Sequence, residues 1–326
     1  MCEVSCLKAV LCDVLTHICL PCRSSDLIIG PLTLLFCFAD TFQYRPSCSF
    51  PYNIPVLTVQ YIDPIIGKFL AKYSKDWKTV VRMNLLILEA GELDSNGTAR
   101  LSDARATHIH KVLAPPRGGV IRVGIVNGPK GTATVETLEP NGVALRCRFD
   151  ADTSSRPMVD LLLALPRPKV MKRLWSQLAA LGVDRIILTN AEKVERNYFD
   201  THVLDEDTYR PLLLEGLQQA QDTHLPELHV HKRFKVLVED DLDDIFPTGV
   251  RLVADPSGSQ GISKALENRI DERVLIAVGP EGGWTAYELV LLKDHGFEPV
   301  SMGPRTLRTD TACIALLSLV HQAVGR

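Results

Sequence analysis

The sequence predicts an α/β protein in two parts: a small β-barrel-like module, then a domain with a largely parallel sheet. Three observations carry this. At Met83 an irregular, cysteine-rich stretch gives way to alternating apolar patterns. Several short strands and one small helix then fall within about 70 residues, as in compact barrels. From Met158 the pattern becomes strand, helix, strand, helix, which argues for a parallel sheet with helices packed on it.

The 326 residues suit two domains, and 46% hydrophobic content suits ordinary packed cores. A net charge of −3 excludes a whole-chain basic field, so any nucleic-acid contact must come from local clusters. Seven of nine cysteines precede residue 49, leaving only Cys147 and Cys313 beyond, which reads as a reduced, intracellular core. Cys19-Leu-Pro-Cys22 is the only CxxC, and no second pair follows at finger spacing, so no metal site is expected. Residues 1–82 read as an extension, poorly ordered or not native to the protein. Their apolar run, Leu27 to Ala39, is too short to span a bilayer and too far from the start for a signal peptide. No membrane association is expected.

In residues 83–150, MNLLILE reads as a strand. RLSDARATHIHKVL contains a helix with Ser102 as its cap and Pro115-Pro116 as its stop. VIRVGIVN, GTATVETLE and GVALRCRFD are further strands, the first two joined at Gly128–Gly131. Ala151 to Pro157 reads as a polar linker. In residues 158–326, VDLLLAL is a continuous apolar run, as in a strand buried on both faces. KVMKRLWSQLAALG is a helix ending at Gly182; DRIILTN is a strand, and TYRPLLLEGLQQAQDT is helical. LHVHKRF, GVRLVADP, RVLIAVGP and FEPVSMGP supply four more strands.

Two Gly-bearing loops follow the last two of these strands. In GPEGGWTAYE, Thr285 and Glu288 form a capping box, which places Gly279 to Gly283 at the carboxyl end of a parallel strand, where open α/β sheets bind ligands. No Lys-Ser/Thr follows the glycines, so this is not a Walker loop. The spacing is wrong for a dinucleotide, and Glu281 would face the pyrophosphate. The loop suits a ligand needing close backbone approach but carrying little negative charge, such as an adenosine with a sulfonium tail; a tight turn without ligand is the other reading. In MGPRTLRTDTA, Thr309 or Asp310 can cap the final helix, whereas Arg308 has no local structural need to precede it.

Together these segments resemble the ribosomal RNA small subunit methyltransferase E family. Its strongest signatures here are IAVGPEGGWTAYE and MGPRTLRTDTA, supported by LALPRPKVMKRLWSQLAALGVDRI, LEGLQQAQDTHLPEL and HIHKVL. The resemblance runs from Met83 to the end. It implies a trefoil-knotted SPOUT α/β domain behind a PUA-like barrel, S-adenosyl-L-methionine as cofactor, N3 methylation of a uridine in small-subunit (16S-type) ribosomal RNA, and a homodimer with the uridine bound between subunits. The implied location is cytoplasmic, or organellar in a eukaryote.

On this resemblance the cofactor walls are Val253, Asp255 and Pro256; Gly279, Pro280, Gly282 and Gly283; and Met302, Gly303, Leu307 and Thr309. Arg308 is the expected stabiliser of the uracil anion, Glu281 a candidate base and Gln219 a reader of the uracil edge. Arg167, Lys169, Lys172 and Arg173 form one expected RNA-binding cluster, and His231, Lys232, Arg233 and Lys235 form a second. Arg105, His108 and Lys111 form another, three apart on one helix face. The chain departs from the family pattern at Ala114, Asp310 and Gln221-Asp222. A related RNA methyltransferase with another target, and a noncatalytic RNA-binding assembly factor, are the alternative readings.

Overall fold

The computed structural model describes residues 84–325 apart from 140, 141 and 154. The expected extension and the Cys19–Cys22 pair lie outside them. The described chain forms two sheets, in hydrogen-bonded order β1-β3-β4-β5-β2 and β11-β9-β10-β6-β7-β8.

The first sheet comprises β1 (Leu86–Leu88), β2 (Thr98–Leu101), β3 (Val120–Ile125), β4 (Pro129–Glu139) and β5 (Gly142–Thr153). It is antiparallel except where β1 joins β3. Its inward residues, among them Leu101, Val123, Val135 and Leu145, close around Ile109. That residue opens the π turn, Ile109–Leu113, that continues a short helix, α1 (Ala104–His108). The cap of α1 is Asp103, whose carboxylate accepts the Arg105 N–H at 2.9 Å; the expected cap at Ser102 is one residue early. A carboxylate gains more than a hydroxyl from the positive end of a helix, which favours the aspartate. β5 also runs through the expected linker as far as Thr153, because Pro129 on β4 still pairs with it there.

β1 joins the two cores. Side chains alternate faces along a strand, so Leu86 and Leu88 enter the first core while Leu85 and Ile87 enter the second. Polar contacts reinforce this seam. Thr223 Oγ1 donates to the Gly128 carbonyl at 2.7 Å, and Leu225 N–H donates to Asn127 Oδ1 at 2.8 Å. Gln221 takes a hydrogen bond from Arg122, and Asp222 lies 3.2 Å from Lys130. The departure Gln221-Asp222 therefore docks one sheet on the other.

The second sheet is wholly parallel: β6 (Val159–Ala164), β7 (Arg185–Thr189), β8 (Glu227–His231), β9 (Val250–Ala254), β10 (Val274–Val278) and β11 (Phe297–Val300). β6 and β10 are buried along their whole length, β10 as an unbroken apolar run and β6 as one interrupted only by Asp160. Beside the sheet lie α2 (Pro168–Ala180), α3 (Glu206–Ala220), α4 (Ala286–Asp294) and α5 (Thr309–Ala323). α2 buries Met171, Leu174, Trp175 and Leu178 on one stripe, and the Trp175 indole donates to the Val203 carbonyl at 3.1 Å. Gly182 then turns the chain with φ +74°, which fits the glycine. α3 approaches α2 so closely that a Cβ on Gly216 would stand 2.8 Å from the Ser176 carbonyl carbon.

At the amino edge, Asp160 and Asp184 are fully buried. Arg273 binds both, and Arg156 holds Asp184 at 2.7 Å. Buried carboxylates need such partners. All the chemistry described below sits at the opposite, carboxyl edge. No helix among the described residues is long and apolar enough to cross a membrane.

Candidate active site

The order β11-β9-β10-β6 puts three successive strand ends side by side, since β10 inserts between β9 and β6. Their loops enclose a pocket. Ala254, Asp255 and Pro256 form one wall, Gly279 to Glu281 with Gly283 and Trp284 a second, and Met302, Gly303, Arg305 and Leu307 a third. Thr309, Ala312 and Leu316 of α5 complete it.

Each wall is held by its own backbone. Asp255 N–H donates to the Val300 carbonyl at 3.0 Å, and its carboxylate accepts the Ser257 N–H at 2.8 Å. Gly283 N–H closes a turn on the Pro280 carbonyl at 2.8 Å, with φ +69°. Gly303 has φ +107° and donates to Ser301 Oγ at 3.1 Å; nothing stands where its Cβ would be. Gly279 is constrained sterically, because a Cβ there would stand 3.1 Å from Trp284 Nε1. The capping box of α4 is present: Thr285 N–H donates to Glu288 Oε2 at 2.8 Å, and Glu288 N–H donates to Thr285 Oγ1.

A second hollow shares Glu281 and Thr309 with this pocket. Its other lining residues are Arg167, Val170, Arg173, Arg308 and Asp310. Three arginines thus converge where α2 and α5 begin. Arg167 is the N-cap residue of α2 and Arg308 that of α5, neither with a side-chain capping bond. This corrects the expected cap at Thr309 or Asp310. Thr309 is already helical, buried, and directs its hydroxyl toward the Gly279 carbonyl at 3.4 Å, tying α5 to the loop after β10. Asp310 accepts a hydrogen bond from Arg173 at 3.1 Å. Desolvation opposes its ionisation, but the Thr311 N–H and Arg173 together hold its carboxyl below the usual range.

Of the expected cofactor residues, Asp255, Pro256, Gly279, Pro280, Gly283, Met302, Gly303, Leu307 and Thr309 line the pocket, with Glu281. Two do not. Val253 is fully buried in the sheet core, because the pocket begins one residue later, at Ala254. Gly282 packs under Lys193: a Cβ there would stand 2.8 Å from Lys193 Cδ, and Lys193 Nζ donates to the Gly282 carbonyl at 2.7 Å.

Of the expected RNA contacts, Arg167 and Arg173 reach the arginine hollow, while Lys169 is exposed outside it. His108 and Lys111 lie exposed on α1 and the π turn that follows it. Gln219 is exposed near the end of α3, beside the residue that holds Leu85, and is not part of either hollow. Arg105 is a correction. It spends five hydrogen bonds on Asp103, Glu92 and the Ile87 carbonyl, so it is an internal clamp rather than an RNA contact. Trp284, Ala312 and Leu316 were not expected. The aromatic at 284, directly after the glycines, was the available signal.

Comparison with known proteins decides the family. An RNA methyltransferase domain model matches residues 153–321. The ribosomal RNA small subunit methyltransferase E of Treponema pallidum is 31% identical over 242 residues, covering 73% of this chain and 90% of that protein. The chain belongs to the ribosomal RNA small subunit methyltransferase E family. The Borreliella burgdorferi member is 27% identical, over 72% of this chain and 95% of its own. The fold is likewise that of solved family structures. The Neisseria gonorrhoeae enzyme, bound to S-adenosyl methionine, superposes with a TM-score of 0.59 at 21% identity, over 73% of this chain and 97% of that one. A Legionella pneumophila methyltransferase, also bound to that cofactor, gives 0.59 at 23% identity, over 74% and 98%.

Proposed function

We propose that this protein uses S-adenosyl-L-methionine to methylate N3 of one uridine in small-subunit ribosomal RNA. The observation that carries the reading is the sharing of Glu281 and Thr309 by two unlike hollows, one largely apolar and one lined by three arginines. The first suits an adenosine. Its walls are mostly aliphatic and backbone, Gly303 leaves its Cβ space open, and the Trp284 Nε1 is buried with no hydrogen-bond partner. Asp255 and Glu281 bring negative charge suited to a cationic ligand tail. Asp255, Pro256, Gly279, Pro280, Gly283, Met302, Gly303, Leu307 and Thr309 would hold the cofactor.

When bound, the cofactor supplies an electrophilic methyl group on a sulfonium. The chain's own residues must prepare the acceptor. Uridine N3 carries a proton at neutral pH and becomes a nucleophile only on losing it. Arg308 stabilises the negative charge that then spreads onto the uracil carbonyls, and Arg167 and Arg173 add to the field or bind the flanking phosphates. Glu281, exposed where the hollows meet, is the candidate proton acceptor. His108, Lys111 and Lys169 extend the RNA contacts, with residues 83–150 acting as a PUA-like RNA-binding module.

The knot, the homodimer and a cytoplasmic location belong to the same reading. The sheet order and the packing of α5 against β10, β6 and α2 support the first of these. Residues 83–326 are assigned as the functional unit, with 1–82 dispensable. Labelled methyl transfer to small-subunit ribosomal RNA tests the proposal; folded protein that binds the cofactor yet transfers no label would overturn it.

A further inference from the structure

A third hollow opens at the carboxyl ends of β7 and β8. It is lined by Asn190 and Glu192, by Arg196 and Phe199, by Lys232 to Lys235, and by Tyr287 and Glu288. It adjoins the cofactor pocket through a common wall: Phe234 lines this hollow, Trp284 lines the pocket, and their ring centroids are 5.4 Å apart. The loop from Asn190 to Asp200 also links it to the arginine hollow. Within that loop, Lys193 holds the Gly282 carbonyl, and Tyr198 is near enough to Arg167 and Glu281 to feel both charges.

Four features describe what this hollow takes. Arg196 and Arg233 are exposed and make no salt bridge with any described residue, whereas Lys232 pairs with Asp200 at 3.6 Å and Lys235 with Glu239 at 3.7 Å. Tyr287 is 56% exposed, a large ring left in water at the rim. Asn190 Oδ1 is buried without a hydrogen-bond partner. The Glu288 carboxylate is already occupied, accepting from Glu192 N–H at 2.8 Å and from Thr285, so it is turned to structure rather than toward a ligand. Two unspent cations, a bare aromatic face and an unpaired amide match a phosphate, a base plane and a base edge.

Resting on the RNA-methylating function proposed above, we infer that this hollow is a subsite for a nucleotide of single-stranded RNA flanking the methylated uridine. Its base stacks on Tyr287 and meets the Asn190 amide, while its phosphates lie on Arg196 and Arg233. An RNA strand with its target in the arginine hollow reaches this site along the 190–200 loop.

The test uses the full chain and a single-stranded small-subunit RNA fragment containing the methylated uridine. The variants are the double substitution Arg196→Gln with Arg233→Gln, Tyr287→Ala, and the control Tyr287→Phe. The double variant weakens RNA binding and makes the slope of log affinity against log salt shallower by about 1.4, for two phosphate contacts to a single strand. Tyr287→Ala weakens binding about 5- to 150-fold, the range for one base–aromatic stack, and Tyr287→Phe retains it. The maximal rate at saturating RNA and the affinity for S-adenosylmethionine stay at wild-type values. Unchanged RNA affinity and salt slope in variants of an enzyme that methylates normally would overturn the subsite alone. Wild-type protein that binds no RNA at any salt would overturn the functional proposal, and the subsite with it.

Discussion

Removing Arg308 separates catalysis from folding. The Arg308 side chain makes no hydrogen bond or salt bridge with a described residue, although its charge acts on Asp310. Arg308→Ala therefore leaves no buried partner orphaned. It also takes a cation away from the positive end of α5, where such a charge costs about 0.3–1 kcal/mol. The variant is expected to be as stable as the wild type, or more stable by that amount. If Arg308 holds the developing uracil anion, the rate at saturating RNA and cofactor falls by about 10²–10³, the scale for losing one positioned donor. Cofactor affinity changes little, because Arg308 belongs to the arginine hollow and not to the cofactor pocket. Lys restores activity only in part, since an ammonium lacks the planar fork of donors. Single-turnover methylation and thermal unfolding, run on the same preparations, provide the readouts. Full recovery of the rate at high RNA concentration would refute the catalytic role and leave Arg308 as an RNA contact.

Three further outcomes concern the framework. Gly216→Ala forces a methyl against the Ser176 backbone and destabilises by about 1–3 kcal/mol, read as a lower urea midpoint; an unchanged midpoint would mean that α2 and α3 part easily. Asp184→Asn removes the buried charge that Arg156 binds and that Arg273 shares with Asp160, and costs about 2–4 kcal/mol, toward the low end for a broken buried pair because Arg273 keeps Asp160 and Arg156 reaches solvent. Arg105→Met destabilises the packing of α1 on the first sheet by about 1–2 kcal/mol at pH 7. Hydrogen bonds from Arg105, against desolvation, hold Glu92 and Asp103 below their usual range. Their contribution is thus present above the unfolded carboxylate values near pH 4 and lost as pH falls through the folded ones, so the gap between variant and wild type narrows below about pH 4. A constant gap from pH 7 to 3 would contradict the clamp.

Sequence reading served best where local chemistry decides structure. The long apolar runs of β6 and β10 announced strands buried on both faces, and the Thr285–Glu288 spacing announced the start of α4. Most residues lining the pocket at the ends of β9, β10 and β11 were also legible, because strand-end loops in a parallel sheet must share one edge. The misses needed tertiary information. Arg105 looked like a solvent-facing helical cation, yet its acceptor Glu92 lies thirteen positions upstream, across a turn that no periodicity reveals. Gly282 looked like its neighbours, but what restricts it is Lys193, from a different strand end. Gln221 and Asp222 looked like departures from a pattern, and their partners Arg122 and Lys130 belong to the other sheet. The hollow beside Tyr287 draws on three separate segments, of which only the basic run from His231 to Lys235 stands out in the linear sequence.

The central claim is tested most directly by locating the methyl group. Wild-type protein is incubated with labelled S-adenosylmethionine and unmodified small subunits or their RNA. The RNA is then digested to nucleosides and also mapped by primer extension, because a methyl on N3 blocks Watson–Crick pairing and stops the polymerase. The account predicts one labelled nucleoside, 3-methyluridine, and one new stop that Arg308→Ala almost abolishes. Label on a ribose oxygen or on another base, or no label from folded protein that binds the cofactor, would contradict it.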